Sequence, residues 1–203
     1  MLDPTLAEKY FDQLYKDVNG YGVSNQARTE AGITEGLLYG ELPFATWKAI
    51  VMRANPKHDG VFFDLGSGTG RVVLQSHLLF NFQKSVGVEL LAGLHDKACD
   101  IAEKFAEEIE PLIRKEIGDR ELHLFNESFF ETDLREADLI LLNHPLKDRD
   151  LFAKLEQKFL TQLKPGTKII TIIRALADPR FKSLGSEKYT FSWGESTAYF
   201  FEV

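Results

Sequence analysis

Apolar residues recur every three or four positions in two segments near the start of the chain, a spacing typical of amphipathic helices. In "DPTLAEKYFDQLYKDVNG", Asp3 has the position of a helix N-cap, and Asn19 and Gly20 are expected to end the helix. After a polar, irregular stretch, a second helix is predicted over residues 44–55. Residues 1–55 are therefore predicted to form a helical lead-in that covers the ligand-binding site of the domain.

From residue 56 onwards, short apolar runs alternate with longer helical ones. Runs such as "GVFFDL", "SVGVEL" and "ADLILLN" are separated by helical segments such as "RVVLQSHLLF" and "LHDKACDIAEKFAEEI". This alternation predicts βαβ units and a parallel sheet with helices on both faces. The last stretch, "KYTFSWGESTAYFFEV", has two aromatic runs around Gly194 and predicts a closing antiparallel hairpin. The chain is predicted to be one α/β domain with residues 56–203 as its core.

Composition and charge narrow the classes of function. The 203 residues are enough for one domain with a substantial apolar core. The net charge of -7 argues against nucleic acid as a partner, because that affinity depends on clustered Lys and Arg. The sequence shows neither a signal peptide nor an apolar run of membrane length, and Cys99 has no second cysteine to pair with. We expect a cytoplasmic protein, monomeric or weakly dimeric, without a membrane partner.

The stretch "FFDLGSGTGRVVLQ" carries the most specific signal in the chain. It reads as a strand, a glycine turn and a helix, which brings backbone close to a ligand and points helix N–H groups at it. "VGVEL" then places Glu89 at the end of the next predicted strand, where a carboxylate can accept hydrogen bonds from ribose hydroxyls. The loop residues predicted to contact this cofactor are Asp64, Gly66, Ser67, Gly68 and Gly70.

Two cofactors compete for this loop. NAD usually binds glycines spaced G-x-G-x-x-G, whereas the third glycine here, Gly70, comes one residue early. Asp64 also suits the cationic amino-acid half of S-adenosylmethionine better than it suits a pyrophosphate. A phosphate-binding P-loop is excluded because no Lys follows the glycines. The residues therefore favour S-adenosyl-L-methionine and leave NAD as the alternative.

The segments "DLGSGTGR", "VGVE" and "LKPGTKII" resemble the motifs of class I methyltransferases, which use S-adenosylmethionine. Together with "YGELPF" they are similar to the non-SET histone-lysine methyltransferase family named for disruption of telomeric silencing. The resemblance implies a Rossmann-like, seven-stranded, mostly parallel sheet and methyl transfer to a nitrogen, above all that of a protein lysine. The family's basic nucleosome-binding tail is missing, which argues against a nucleosomal histone as substrate. A small-molecule or nucleic-acid methyltransferase, or a non-catalytic domain that binds the cofactor, is the alternative.

The same resemblance implies further cofactor contacts. In that family a Tyr-Gly-Glu loop touches the cofactor, and the matching residues here are Tyr39, Gly40 and Glu41. The alternative role for Glu41 is to cap the helix that follows. Where the family has Thr after this loop, the chain has Leu42, and "NESFF" replaces a Gly-Asp-Phe segment. Phe129 is the implied neighbour of the adenine, with Ser128 or Glu127 as the polar one.

Candidate catalytic residues follow the predicted strand in "LILLNHPL". Asn143 comes just past this strand, at the carboxyl edge where open α/β sheets bind ligands. It is predicted to contact the cofactor and to orient the acceptor amine, and the alternative is a helix cap. His144 is a candidate general base, with a surface position as the alternative. No metal site is predicted, because ligand spacing is lacking at His58, His77, His95 and His123.

Overall fold

A seven-stranded sheet forms the centre of the protein in a computed structural model that describes residues 2–33, 39–143 and 146–203. The strands are β1 (Val61–Leu65), β2 (Lys84–Glu89), β3 (Glu121–Asn126), β4 (Leu139–Leu142), β5 (Lys168–Ile172), β6 (Lys182–Phe191) and β7 (Gly194–Glu202). They lie in the order β3-β2-β1-β4-β5-β7-β6. The first five pair in parallel, and β7 pairs antiparallel with both β5 and β6. The predicted fold, including the hairpin around Gly194, is confirmed.

Helices pack on both faces of this sheet. They are α1 (Pro4–Tyr15), α2 (Gly20–Glu30), α3 (Phe44–Ala54), α4 (Arg71–Leu79), α5 (Ala92–Glu108), α6 (Glu110–Ile117) and α7 (Arg149–Gln162). Successive residues of β1 point to opposite faces, as the pleat of a strand requires. Phe62 packs against Trp47 of α3, with ring centroids 5.4 Å apart, whereas Phe63 belongs to the core cluster of Phe159 in α7. Within the described ranges, no helix is long and apolar enough to span a membrane.

The helical lead-in differs from the prediction in one element. Asp3 caps α1 as expected, accepting hydrogen bonds from two backbone N–H groups. However, α1 ends at Tyr15, and Asn19 begins α2 instead of ending the first helix, its side chain accepting from Gly22 N–H at 3.0 Å. The expectation of an irregular stretch here was wrong because α2 is stabilised by packing on α5, where Ala27 lies against a glycine. A polar helix with two glycines gives little periodic signal.

Candidate active site

The carboxyl ends of the parallel strands open onto a cavity of about 230 Å³. Loops that follow different strands meet at this edge, so residues far apart in the sequence share one wall. Most of the predicted site residues lie on that wall, and they are Tyr39, Gly40, Glu41, Asp64, Gly66, Ser67, Gly68, Glu89, Ser128, Phe129 and Asn143. Their roles toward a cofactor stay predictions, but the geometry brings all of them to a single cavity.

Three other predicted residues are placed differently. Gly70 does not line the cavity; it caps α4 in the left-handed conformation, with φ +76°. Glu127 accepts a hydrogen bond from the hydroxyl of Thr132 at 2.8 Å and is not on the wall, which leaves Ser128 as the polar neighbour of the aromatic ring. His144, the candidate base, lies outside the described residues.

The glycine loop is attached to the neighbouring strand by hydrogen bonds that its backbone N–H groups donate. The N–H of Ser67 donates to the Val88 carbonyl at 3.0 Å, and the N–H of Gly68 donates to the Glu89 carboxylate at 2.8 Å. Gly68 has φ +57°, and a Cβ built there would lie 2.8 Å from a ring carbon of Tyr39. Glycine is therefore required at this position by both conformation and space.

Two buried acidic side chains, Asp64 and Glu89, lie on this wall. Asp64 is 2% exposed, and its burial, together with the nearby charge of Glu89, raises its pKa to about 8. Burial also raises the pKa of Glu89, although N–H groups of Leu91 and Gly68 donate to its carboxylate and act in the opposite direction. A buried carboxylate without a cationic partner is stabilised by a cationic ligand. This side of the cavity is therefore suited to a positively charged group.

The loop at residues 39–41 also lines the cavity. The Tyr39 hydroxyl donates to Oε1 of Glu41 at 3.0 Å and also lies 3.0 Å from the hydroxyl of Thr69. Oε2 of Glu41 is 3.6 Å from Nε of Arg71. Since Pro43 holds the N-cap position of α3, Glu41 does not cap that helix. The carboxylate instead faces the cavity and its neighbours.

The turn of the C-terminal hairpin packs onto this loop. A Cβ at Gly40 would lie 2.4 Å from the ring of Trp193, so the ring covers the glycine directly. The hydroxyl of Ser192 accepts from the N–H of Glu41 at 3.1 Å and lies 2.7 Å from the hydroxyl of Tyr21 in α2. The hairpin, α2 and the loop thus share one set of hydrogen bonds, which the sequence pattern did not reveal.

Asn143 connects the sheet edge to the same loop. Its Nδ2 donates to the Gly40 carbonyl at 3.4 Å, while its Oδ1 is buried without a hydrogen-bond partner in the described part of the chain. Helix α7 is capped by Asp148, whose carboxylate accepts from the N–H groups of Asp150 and Leu151. The helix-cap role considered for Asn143 is therefore absent. A buried acceptor on a cavity wall is suited to a ligand that donates a hydrogen bond.

Sequence reasoning missed about half of the wall. The residues that it did not assign are mostly apolar, and they are Ser24, Leu42, Arg71, Val72, Leu90, Leu91, Leu94, Phe130, Leu146 and Leu151. Leu90 and Leu91 directly follow Glu89, and Arg71 directly follows the third glycine, so adjacency to a motif was the available signal. Apolar walls of this kind accommodate flat ring systems. No cluster of His, Cys, Asp or Glu among residues 2–33, 39–143 and 146–203 is arranged to hold a metal ion.

Comparison with known families gives a match over most of the chain. Residues 31–192 match the family model described as histone methylation protein DOT1. A histone-lysine N-methyltransferase, H3 lysine-79 specific, from Debaryomyces hansenii is 32% identical over 167 residues, which cover 77% of this chain and 13% of that protein. One of the same name from Chaetomium globosum is 32% identical over 173 residues, or 82% and 32% of the two chains. The chain thus spans about a third or less of these relatives.

Solved structures with the same architecture are more distant in sequence. An RNA methyltransferase from Salinibacter ruber, in complex with S-adenosyl-L-homocysteine, aligns with a TM-score of 0.57 and 21% identity, covering 80% of this chain and 93% of that one. TrmN from Thermus thermophilus aligns with a TM-score of 0.61 and 18% identity, covering 79% and 49%. At such identities the likeness establishes a shared fold.

Proposed function

We propose, since the chain belongs to the DOT1 family of histone methylation proteins, that it transfers a methyl group from S-adenosylmethionine to the side-chain nitrogen of a protein lysine. The observation that carries the proposal is the position of Asn143. Its buried amide oxygen has no partner in the described chain, and it lines the same cavity as Asp64 and the glycine loop. One cavity thus combines groups for a cationic cofactor with an acceptor for an incoming N–H donor.

The residues on the wall fit S-adenosylmethionine. The cofactor supplies a methyl group on a cationic sulfonium, and the protein supplies alignment. Asp64 suits the ammonium of the amino-acid half, Glu89 suits the ribose hydroxyls, and Phe129 with the neighbouring leucines suits the adenine. NAD fits less well, because its pyrophosphate would lie beside the buried acidic side chain of Asp64.

Asn143 and the apolar walls would prepare the acceptor. A lysine attacks only as the neutral amine, and burial against apolar side chains lowers the pKa of an amine. The Asn143 Oδ1 can accept an N–H of that amine and so direct its lone pair, while the bond from Nδ2 to Gly40 holds the amide in place. Methyl transfer that depends on alignment and desolvation of the amine does not require a strong base.

The proposal is tested by following a labelled methyl group. The purified protein would be incubated with labelled S-adenosylmethionine and cell extract, and protein, RNA and small-molecule fractions would be counted separately. We expect label in protein and, after hydrolysis, in methylated lysine, and none with Asp64→Ala. Label confined to RNA or to small molecules would exclude a protein acceptor. Cofactor binding with no label in any fraction would indicate a binding domain without activity.

Two further properties remain proposals that follow from composition and charge. We place the protein in the cytoplasm, as a monomer or a weak homodimer. Fractionation of cells and sedimentation of the purified protein over a range of concentrations test these two points independently of the labelling experiment.

A further inference from the structure

The segment that follows β5, residues 173–178, begins with a strained residue at the cavity edge of the sheet. Ile173 has φ +75°, a conformation that is a genuine outlier for a β-branched side chain, and it is 47% exposed. The register of β4 and β5 aligns Leu142 with Thr171, so the segment leaves the sheet at the same edge as Asn143. Backbone strain persists only where the surrounding structure fixes it, and it is concentrated at functional sites.

Hydrogen bonds fix this segment at both ends. At its beginning, the N–H of Ile173 donates to the Thr197 carbonyl of β7 at 2.9 Å. Further along, the N–H groups of Ala177 and Asp178 donate to the buried carboxylate of Glu156 in α7. The strained turn therefore lies between two attachments, one to the hairpin and one to a helix.

Arg174 connects the segment to the wall of the cavity. Its guanidinium donates to the carbonyl of Leu146, a wall residue that comes three positions after Asn143. The Cζ of Arg174 lies 3.8 Å from the ring centre of Phe152 in α7, and its backbone carbonyl accepts from the Thr171 hydroxyl at 2.6 Å. Main chain and side chain are thus both fixed, and one arginine joins the chain after β5 to the chain after β4.

We propose that Arg174 is a positioning residue for the acceptor side of the cavity and that it holds Leu146 in place relative to Asn143. The inference rests on the proposed function, in which Asn143 directs the acceptor amine. Arg174 is not among the described residues that line the cavity, so it acts through Leu146. A planar guanidinium can lie on an aromatic ring and donate to a carbonyl at the same time. Such support matters because a displacement of about 1 Å can cost about a hundredfold in rate.

The test compares two ligands that differ at the reacting centre. S-adenosylhomocysteine lacks the methyl group, whereas sinefungin carries an amine in its place, which can donate to Oδ1 of Asn143. Calorimetry on Arg174→Gln should show at least a fivefold loss of affinity for sinefungin and less than a twofold change for S-adenosylhomocysteine. Arg174→Lys retains a cationic donor and should lie between the wild type and Arg174→Gln. Equal changes for both ligands would overturn the proposal. A wild-type protein that binds neither ligand would instead refute the proposed function, so the two failures are distinguishable.

A second variant separates positioning from stability. Ile173→Gly removes the strain of a positive φ, so we expect a Tm at least as high as that of the wild type. It also frees the turn before Arg174, and the affinity for sinefungin relative to S-adenosylhomocysteine should decrease threefold or more. A purely structural role would not lower this ratio in a protein of undiminished stability. Arg180→Gln is the control, since Arg180 bonds Asp178 in the same segment of chain and does not line the cavity. An unchanged ratio in Ile173→Gly would remove the strained turn from the site.

Discussion

The two sides of the cavity are held together in different ways. We call residues 64–70 with Glu89 the floor, and residues 39–41 with Tyr21 and the turn at residues 192–193 the cover. The floor is joined by backbone N–H groups of the glycine loop, such as that of Ser67, which donates to the Val88 carbonyl of β2. The cover is joined largely by hydroxyls at the surface, chiefly that of Ser192. Exposed bonds of this kind open more easily than buried main-chain ones.

The difference assigns separate tasks to the two sides. The floor has its conformation before any ligand binds, so it is suited to fix the cofactor. The cover depends on individual side chains from three distant segments, so it can adjust when an acceptor enters. Substitutions in the floor should therefore alter the affinity for the cofactor. Substitutions in the cover should have a smaller effect, chiefly on turnover. Asn143 follows β4, the strand that pairs with β1, and donates to Gly40 of the cover, so it lies between the two.

The largest effect is expected where floor and cover meet. Asn143→Ala should lower turnover at saturating cofactor by about a hundredfold or more, because it removes the group that orients the acceptor. The melting temperature should change little, since Asp148 and not Asn143 caps α7. Both quantities would be measured on one preparation. A destabilised variant with full turnover per folded molecule would show that Asn143 has a structural role only.

A change in the floor should act on affinity. Glu89→Ala removes the proposed ribose contact and the acceptor for Gly68 N–H, and we expect binding of S-adenosylmethionine to weaken by about 1 to 3 kcal/mol. Glu89→Gln retains an acceptor oxygen and should lose less. Calorimetry on both variants measures the difference. Unaltered affinity in Glu89→Ala would place the ribose contact elsewhere.

The buried acid of the floor should make stability depend on pH. The pKa of Asp64 is about 8 in the folded protein and near 3.8 when unfolded, so between these values the folded state holds a proton that the unfolded state lacks. The proton on Asp64 therefore favours the folded state, and this contribution to the free energy of unfolding is lost as pH rises toward 8. His77 has its pKa lowered to about 4 by burial and acts in the opposite direction, but only below about pH 6.5.

The contribution of Asp64 can thus be separated from that of His77 above neutral pH. Between about pH 7 and 8.5 the ligand-free protein should lose roughly 1 kcal/mol, or about 2 to 4 °C in Tm, through this group. Asp64→Asn cannot titrate and should show a smaller decrease. Thermal melts of both proteins at the two pH values measure the effect. An equal decrease in Tm in the two proteins would show that Asp64 is not the group responsible.

The smallest effect is expected in the cover. Ser192→Ala removes the hydroxyl shared by Glu41 N–H and Tyr21, and exposed hydrogen bonds contribute only about 0.5 to 1 kcal/mol. We expect turnover to decrease by about two- to fivefold with cofactor affinity nearly unchanged. Ser183→Ala, in β6 and away from the cavity, is the matched control. A loss of affinity as large as that of Glu89→Ala would show that cover and floor are not separable.

The floor could be predicted from the sequence because the residues that form it are close together along the chain. A strand, a glycine turn and a helix follow one another between residues 61 and 79, and the next strand ends at Glu89. Parallel pairing of β1 with β2, which aligns Leu65 with Val88, then brings these carboxyl ends together. The alternation of short apolar runs with helical segments was enough to predict this arrangement.

The resemblance in sequence implied that Tyr39, Gly40 and Glu41 belong to the site, but the contacts that join the cover could not be predicted from hydrophobic patterns. Nothing in the sequence near Ser192 indicates that its hydroxyl bonds the N–H of Glu41. Helix α2 was missed because its polar composition resembles a loop. Contacts between distant segments arise from packing, which hydrophobic periodicity along one segment does not encode.

The separation between the hairpin turn and its partner loop also bears on protein synthesis. Glu41 and Ser192 are 151 residues apart, and chains emerge from the ribosome in order. A nascent chain that has released β5 already contains Asp64 and Glu89, yet β7 has still to cover the edge of β5. Until then the acidic cavity and an unpaired strand edge are both open to solvent. Chaperone contact or ribosome pausing in that interval would act on a protein whose floor is present and whose cover still lacks the turn at residues 192–193.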